Sequence, residues 1–196
     1  MATSERLVAR TEGIYETAPR GGPILQCEVL SDVFQSVLNE RSVLGGPPHS
    51  VDIIKHPLAI VVSQDCDLEW DHRARVPDGA PDKLLPNVLL CEVHEAASNP
   101  SNSTLWGPIR MNKNERYQFL QAPRWLEDAL REGLPELLVD FKRYFSLPTG
   151  ELYRRISAGQ TRRRCVLQQP FREHFSNRFY CFQMRIALPG EHFSEP

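Results

Sequence analysis

Long apolar runs are missing from this chain of 196 residues. No segment approaches the roughly 20 apolar residues that a membrane helix needs, so no span is expected. The first residues, Met1-Ala2-Thr3-Ser4-Glu5-Arg6, lack the apolar core of a signal peptide. An excess of one charge is missing too: 23 Lys+Arg stand against 25 Asp+Glu, a formal net charge of -2. That balance excludes a global attraction to nucleic acid or membrane, so any such binding must come from a local patch. A disulfide framework is absent as well. The five cysteines, Cys27, Cys66, Cys91, Cys165 and Cys181, are odd in number and scattered. A reduced, cytoplasmic setting is the expectation. No internal repeat is visible.

What remains is enough for one domain with a sizeable core. Residues 1–19 are polar and mixed and read as an arm, 20–188 as the domain and 189–196 as a tail. Turn signals at Arg20-Gly21-Gly22-Pro23 and Leu44-Gly45-Gly46-Pro47-Pro48 divide the first half. Between them, 24–30 reads as a strand, and 34–38 either extends it or forms a short helix. Residues 51–55 alternate like a short edge strand. Further strands are expected over 87–93, 137–141 and 164–167. Residues 69–86 are charged and rich in proline, and read as a long loop. The clearest helix is the last. Pro170 suits a first turn, and Phe171, Phe175, Phe179, Phe182 and Ile186 make one apolar stripe at helical spacing.

The most informative stretch is His56-Pro57-Leu58-Ala59-Ile60-Val61-Val62-Ser63-Gln64-Asp65-Cys66-Asp67-Leu68. A β-branched apolar run stops in a polar cluster, which reads as a buried strand ending in a site.

The order of these elements resembles the PemK/MazF-like family. The matching stretches are Arg20-Gly21-Gly22-Pro23-Ile24-Leu25, His56–Ser63, Val88–His94, Leu138–Phe145, and the final strand and helix at 164–167 and 170–186. The resemblance implies an α+β fold: a small SH3-like β-barrel with long loop insertions and a C-terminal amphipathic helix. It also implies toxin–antitoxin or related bacterial stress and defence systems, where members cut single-stranded RNA. In that family an Arg precedes the strand's Pro and a Thr or Ser ends the third strand. Here His56 and His94-Glu95 occupy those places. The departure points to a divergent branch that binds nucleic acid, a protein partner or a second copy without nuclease activity. The enzymatic alternative is an endoribonuclease using His56 or His94 with Asp65 or Asp67, since histidine titrates near neutral pH.

Two further constellations stay open. Cys66, Cys91 and His94 are zinc-ligand types, which would give a zinc-stabilised interaction domain. The simpler alternative is that the cysteines are small buried hydrophobes and that Asp65 and Asp67 bond backbone amides. Arg143, Tyr144 and Arg162-Arg163-Arg164 combine cations with an aromatic, as single-stranded RNA binding needs. The simpler alternative is a solvated face paired with acids such as Asp128 and Glu132.

Overall fold

The computed structural model describes residues 13–46, 49–98 and 103–185. In chain order its strands are β1 (Tyr15–Thr17), β2 (Glu28–Leu38), β3 (Val51–Val61), β4 (Asn87–Glu95), β5 (Tyr117–Leu120), β6 (Leu137–Pro148) and β7 (Arg162–Leu167). Its helices are α1 (Glu40–Leu44), α2 (Asp65–Ala74), α3 (Ser103–Arg110), α4 (Thr149–Ser157) and α5 (Phe171–Gln183). The strands form one antiparallel sheet in the order β1-β7-β2-β3-β4-β6-β5.

The α+β class and the C-terminal helix are as expected. The sheet, however, is open, and no pairing closes it into a barrel among the described residues. Side chains link its two edges instead. Tyr15 on β1 donates its hydroxyl to Gln121 O at 3.1 Å, and Thr17 Oγ1 donates to Leu126 O at 2.8 Å. Residues 15–17, expected within an arm, thus belong to the sheet. Residues 1–12, Ile186 and the tail 189–196 lie outside the described residues.

Alternation along the strands sends neighbouring residues to opposite faces. Val29, Ile60, Cys91 and Val139 share one core with Phe175, Phe179 and Phe182 of α5. Phe141 anchors that core, with ring centroids 5.5 Å from Phe175 and 5.7 Å from Phe179. Full burial of one such ring contributes about 1.5–3 kcal/mol. Leu30, Ala59, Val61 and Leu90 share the second core with Leu68 of α2 and Leu152 of α4. The expected apolar stripe is therefore buried from Phe175 to Phe182, while Phe171 remains 40% exposed.

Two expectations about β3 and its sequel change. The expected edge strand 51–55 and the apolar run after Pro57 merge into the single strand Val51–Val61, and the ladder with β2 skips the Asp32–Pro57 position. Proline's missing N–H therefore costs no bond there. Residues 33–38 and 51–56 pair only with each other, as a two-stranded ribbon beyond the reach of β4 and β7. The start of the expected loop is α2. Asp65 and Asp67 suit its first turn electrostatically. Asp71, fully buried, takes a bidentate contact from Arg75 at 2.7 and 2.8 Å and accepts from Leu85 N at 2.8 Å. Among the described residues, no helix is long and apolar enough to cross a membrane.

Candidate functional site

The neighbouring strands β3, β4 and β6 bring His56, Glu92, His94 and Arg143 together. The means is an irregularity in β6. Cys91 pairs with Tyr144 and Val93 with Val139, so residues 140–143 face the single residue Glu92. Such a bulge re-aims side chains and is over-represented beside functional sites. Here it carries Arg143 over Glu92, with Nη1 2.8 Å from Oε2. His94 Nε2 lies 3.6 Å from the same oxygen, and His56 Nδ1 lies 3.0 Å from Oε1.

The two histidines differ in freedom. His56 is 5% exposed, stacks on Phe145 with centroids 3.9 Å apart, and has Nε2 3.2 Å from Gln35 Oε1. Both ring nitrogens are thus engaged. Burial lowers its pKa, against the pull of the Glu92 carboxylate, which raises it. The ring is therefore neutral at neutral pH and carries one N–H, which its tautomer gives either from Nδ1 to Glu92 Oε1 or from Nε2 to Gln35 Oε1. His94 is half exposed and opens to solvent.

These residues line a cavity of about 630 Å³ together with Lys55, Arg162, Arg164, Leu134 and Pro135. A second cavity of about 330 Å³ shares His94, Ser98 and Arg143 and adds Arg116, Tyr117 and Asp140. The two cavities adjoin at these shared residues and are together termed the groove. Its accessible cations include Lys55, Arg116, Arg143 and Arg162, each roughly half exposed. Asp32, with its pKa lowered first of all by the Lys55 ammonium, ties Lys55 at 2.7 Å and Arg162 at 3.0 Å.

Of the remaining expected site residues, Arg164 touches the groove only from its buried wall, and the others lie away from it. Arg163 and Arg164 are buried and turned to internal carboxylates. Arg163 bonds Glu28, Gly21 O and Pro23 O, and Arg164 makes a bidentate contact to Asp128 at 2.8 Å for both bonds. Tyr144 points to α5, its ring 6.3 Å from Phe179, and lines neither cavity. Asp65 is a clip: Oδ1 accepts from Gln26 N at 2.6 Å and Oδ2 pairs with Arg172 at 2.6 Å. Asp67 is exposed. Neither aspartate lines the groove of the histidines.

The zinc set does not converge. Cys91 is fully buried among apolar residues, and burial pushes its thiol far above the ordinary range. Cys66 is exposed on α2, whereas His94 faces the groove. Among the described residues, no group of three or more His, Cys, Asp and Glu side chains is placed to hold a metal ion. Of the two cysteines in the simpler alternative, Cys91 is a small buried hydrophobe, as Cys27 and Cys165 also are, whereas Cys66 is exposed.

Glu92 is the residue that sequence reasoning missed. Its only local signal is its place two positions before His94, on the same face of a strand. Comparison with known proteins adds no relative: no family model, no curated protein and no solved structure matches this chain. The geometry therefore stands by itself. It offers one solvent-facing imidazole, one guanidinium for an anion, and two adjoining cavities beside them.

Proposed function

We propose that this chain is a divergent PemK/MazF-like module of a bacterial stress or defence system. It holds single-stranded RNA in the groove of His94 and Arg143 and does not cut it. The carrying observation is the β6 bulge, which sets the half-exposed Arg143 beside His94, where both line two adjoining cavities. Cationic grooves that track a backbone, with an aromatic for stacking, are how single strands are held. Tyr117, beneath Arg116 at 4.8 Å, supplies the aromatic. The open sheet is on this reading a family barrel whose last closing pairing is replaced by the contacts of Tyr15 and Thr17. Cleavage needs a base, an acid and charge stabilisation. With His56 engaged at both nitrogens, only His94 is free, which favours holding over cutting.

One observation favours the endoribonuclease alternative: His94 and Arg143 both open to the groove. The two readings separate on one sample. Binding of a labelled single-stranded RNA is followed by anisotropy, and its integrity on a denaturing gel. Binding that weakens in Arg143→Ala, with the RNA intact, supports the proposal. No binding even at low salt, or equal binding by the variant, overturns it.

A further inference from the structure

The C-terminal half of α5 and the loop before β5 enclose a separate cavity of about 310 Å³. It is lined by Lys113, Asn114, Glu115, Arg178, Cys181 and Arg185, among others, and shares no residue with the groove. Arg178 is partly buried there. Its Nη1 bonds Gln118 Oε1, and its Nη2 bonds Asn114 O and, at 3.1 Å, Tyr117 O. All three acceptors are neutral, and no carboxylate pairs with it among the described residues. A guanidinium carries five N–H groups. The Nε–H and the second Nη1–H find no protein partner among those residues. Burial pushes its pKa down, as expected of a charge that has lost water and gained no counter-ion.

The neighbours repeat the imbalance. Lys113 has no ion pair among the described residues. Arg185 lies on the Phe182 ring at 3.6 Å and touches the single acid, Glu115, at 3.5 Å. Three cations thus share one carboxylate. A carboxylate ligand would leave a positive charge behind, whereas a dianion matches it.

We propose that this cavity binds a phosphoryl dianion, either free phosphate or a small phosphate monoester, through Arg178, Lys113 and Arg185. The proposal is independent of the RNA groove. Cys181, exposed on the cavity wall, reports occupancy, and the exposed Cys66 serves as an internal reference.

The test alkylates the full chain with limiting iodoacetamide at about pH 8, where a phosphate monoester carries two charges. Mass spectrometry then compares Cys181 with Cys66. Inorganic phosphate and phenyl phosphate should each slow Cys181 several-fold and saturably, leaving Cys66 unchanged. A lower half-protecting concentration for phenyl phosphate assigns an ester, and equal values assign free phosphate. The double variant Lys113→Ala/Arg185→Ala, both at exposed positions, should lose the protection, and Arg143→Ala should keep it. Protection by chloride at matched ionic strength overturns the proposal. So does protection only by a 5′-hydroxyl RNA, undiminished protection in the double variant, or none in the native chain.

Discussion

His56 Nδ1 lies 3.0 Å from Glu92 Oε1, a contact that joins β3 to β4 at the floor of the groove. The same carboxylate meets Arg143 and approaches His94, so one acid organises three basic groups from three strands. Glu92 is a positioning residue. Its replacement acts on the groove through what it holds.

The buried His56 makes stability depend on pH with a definite sign. Its folded pKa is lowered, chiefly by burial. The unfolded chain, with a pKa near the ordinary value of about 6.5, then binds more protons at mildly acid pH. Its contribution is present above that value and is lost as pH falls through the lower folded pKa. Urea unfolding from about pH 7.5 to about pH 5 should show the native chain losing more stability than His56→Gln. Parallel losses in the two proteins would assign the acid sensitivity to other groups.

Asp128 pins the chain after α3 and β5 to β7. Its carboxylate takes the bidentate Arg164 contact and accepts from Leu130 N at 3.2 Å, Glu132 N at 3.1 Å and Gly133 N at 2.9 Å. Asp128→Ala leaves the buried guanidinium with only the more exposed Glu132 carboxylate, 3.5 Å from Nη1, and should cost about 3 kcal/mol. Denaturant unfolding measures this. A loss below about 1 kcal/mol would mean that water reaches Arg164 and that the pair is ornamental.

Arg163 and Glu28 offer a complementary test, because both are buried and each satisfies the other. Burial, partly offset by Arg163, raises the Glu28 pKa, as a desolvated carboxylate requires. Arg163→Met alone should be severely destabilising. Adding Glu28→Gln removes the stranded charge and keeps an acceptor for Leu25 N, which Glu28 Oε2 meets at 3.0 Å. The double variant should therefore unfold at higher urea than Arg163→Met. Additive losses would show that the pair does not interact as a unit.

The legible parts of this chain are those whose partners announce themselves locally. Phe175, Phe179 and Phe182 repeat at helical spacing, and their face is buried as that spacing requires. The pairing of β3 with β4 follows from two apolar runs of similar length. The illegible parts depend on distant chain. Arg162-Arg163-Arg164 looks like a patch for phosphate because Glu28, 135 residues away from Arg163, carries no mark of being its partner. Asp65-Cys66-Asp67 reads as the end of a strand, yet it opens α2, since Arg172 and Gln26 N reach Asp65 from elsewhere in the fold. Glu92 becomes meaningful only when the bulge of β6 brings Arg143 opposite it, and no local pattern specifies a bulge of that length.

Asp65 and Asp67 should part company on mutation. Asp65→Ala removes a charge-assisted bond to Arg172 and leaves Gln26 N unpaired, at a cost of about 1–3 kcal/mol. Asp67, exposed and meeting among the described residues only the Cys66 thiol at 3.9 Å, should tolerate Ala within about 0.5 kcal/mol. Neither change should alter RNA binding, since neither residue lines the groove. Loss of binding in a stably folded Asp67→Ala would move the functional site to α2.

The groove itself makes the sharpest prediction. Neutralising a side chain that contacts phosphate reduces the salt dependence of binding, by about 0.7 in the log–log slope for a single strand. Arg143→Ala should therefore weaken RNA binding most at low salt and flatten the slope by about that amount. His94→Ala should weaken binding less, because an imidazole offers fewer N–H groups to a phosphate than a guanidinium does. Glu92→Gln should act differently from both. It releases Arg143 from its carboxylate and should strengthen binding at low salt while loosening His56. RNA should remain intact with the native chain and all three variants, because His56 has no free nitrogen to complete an acid–base pair. Cleavage by the native chain that vanishes in His94→Ala would reverse the assignment and make His94 a catalytic residue. If cleavage also rose with pH in step with loss of a single proton, His94 would be the base and the groove an active site.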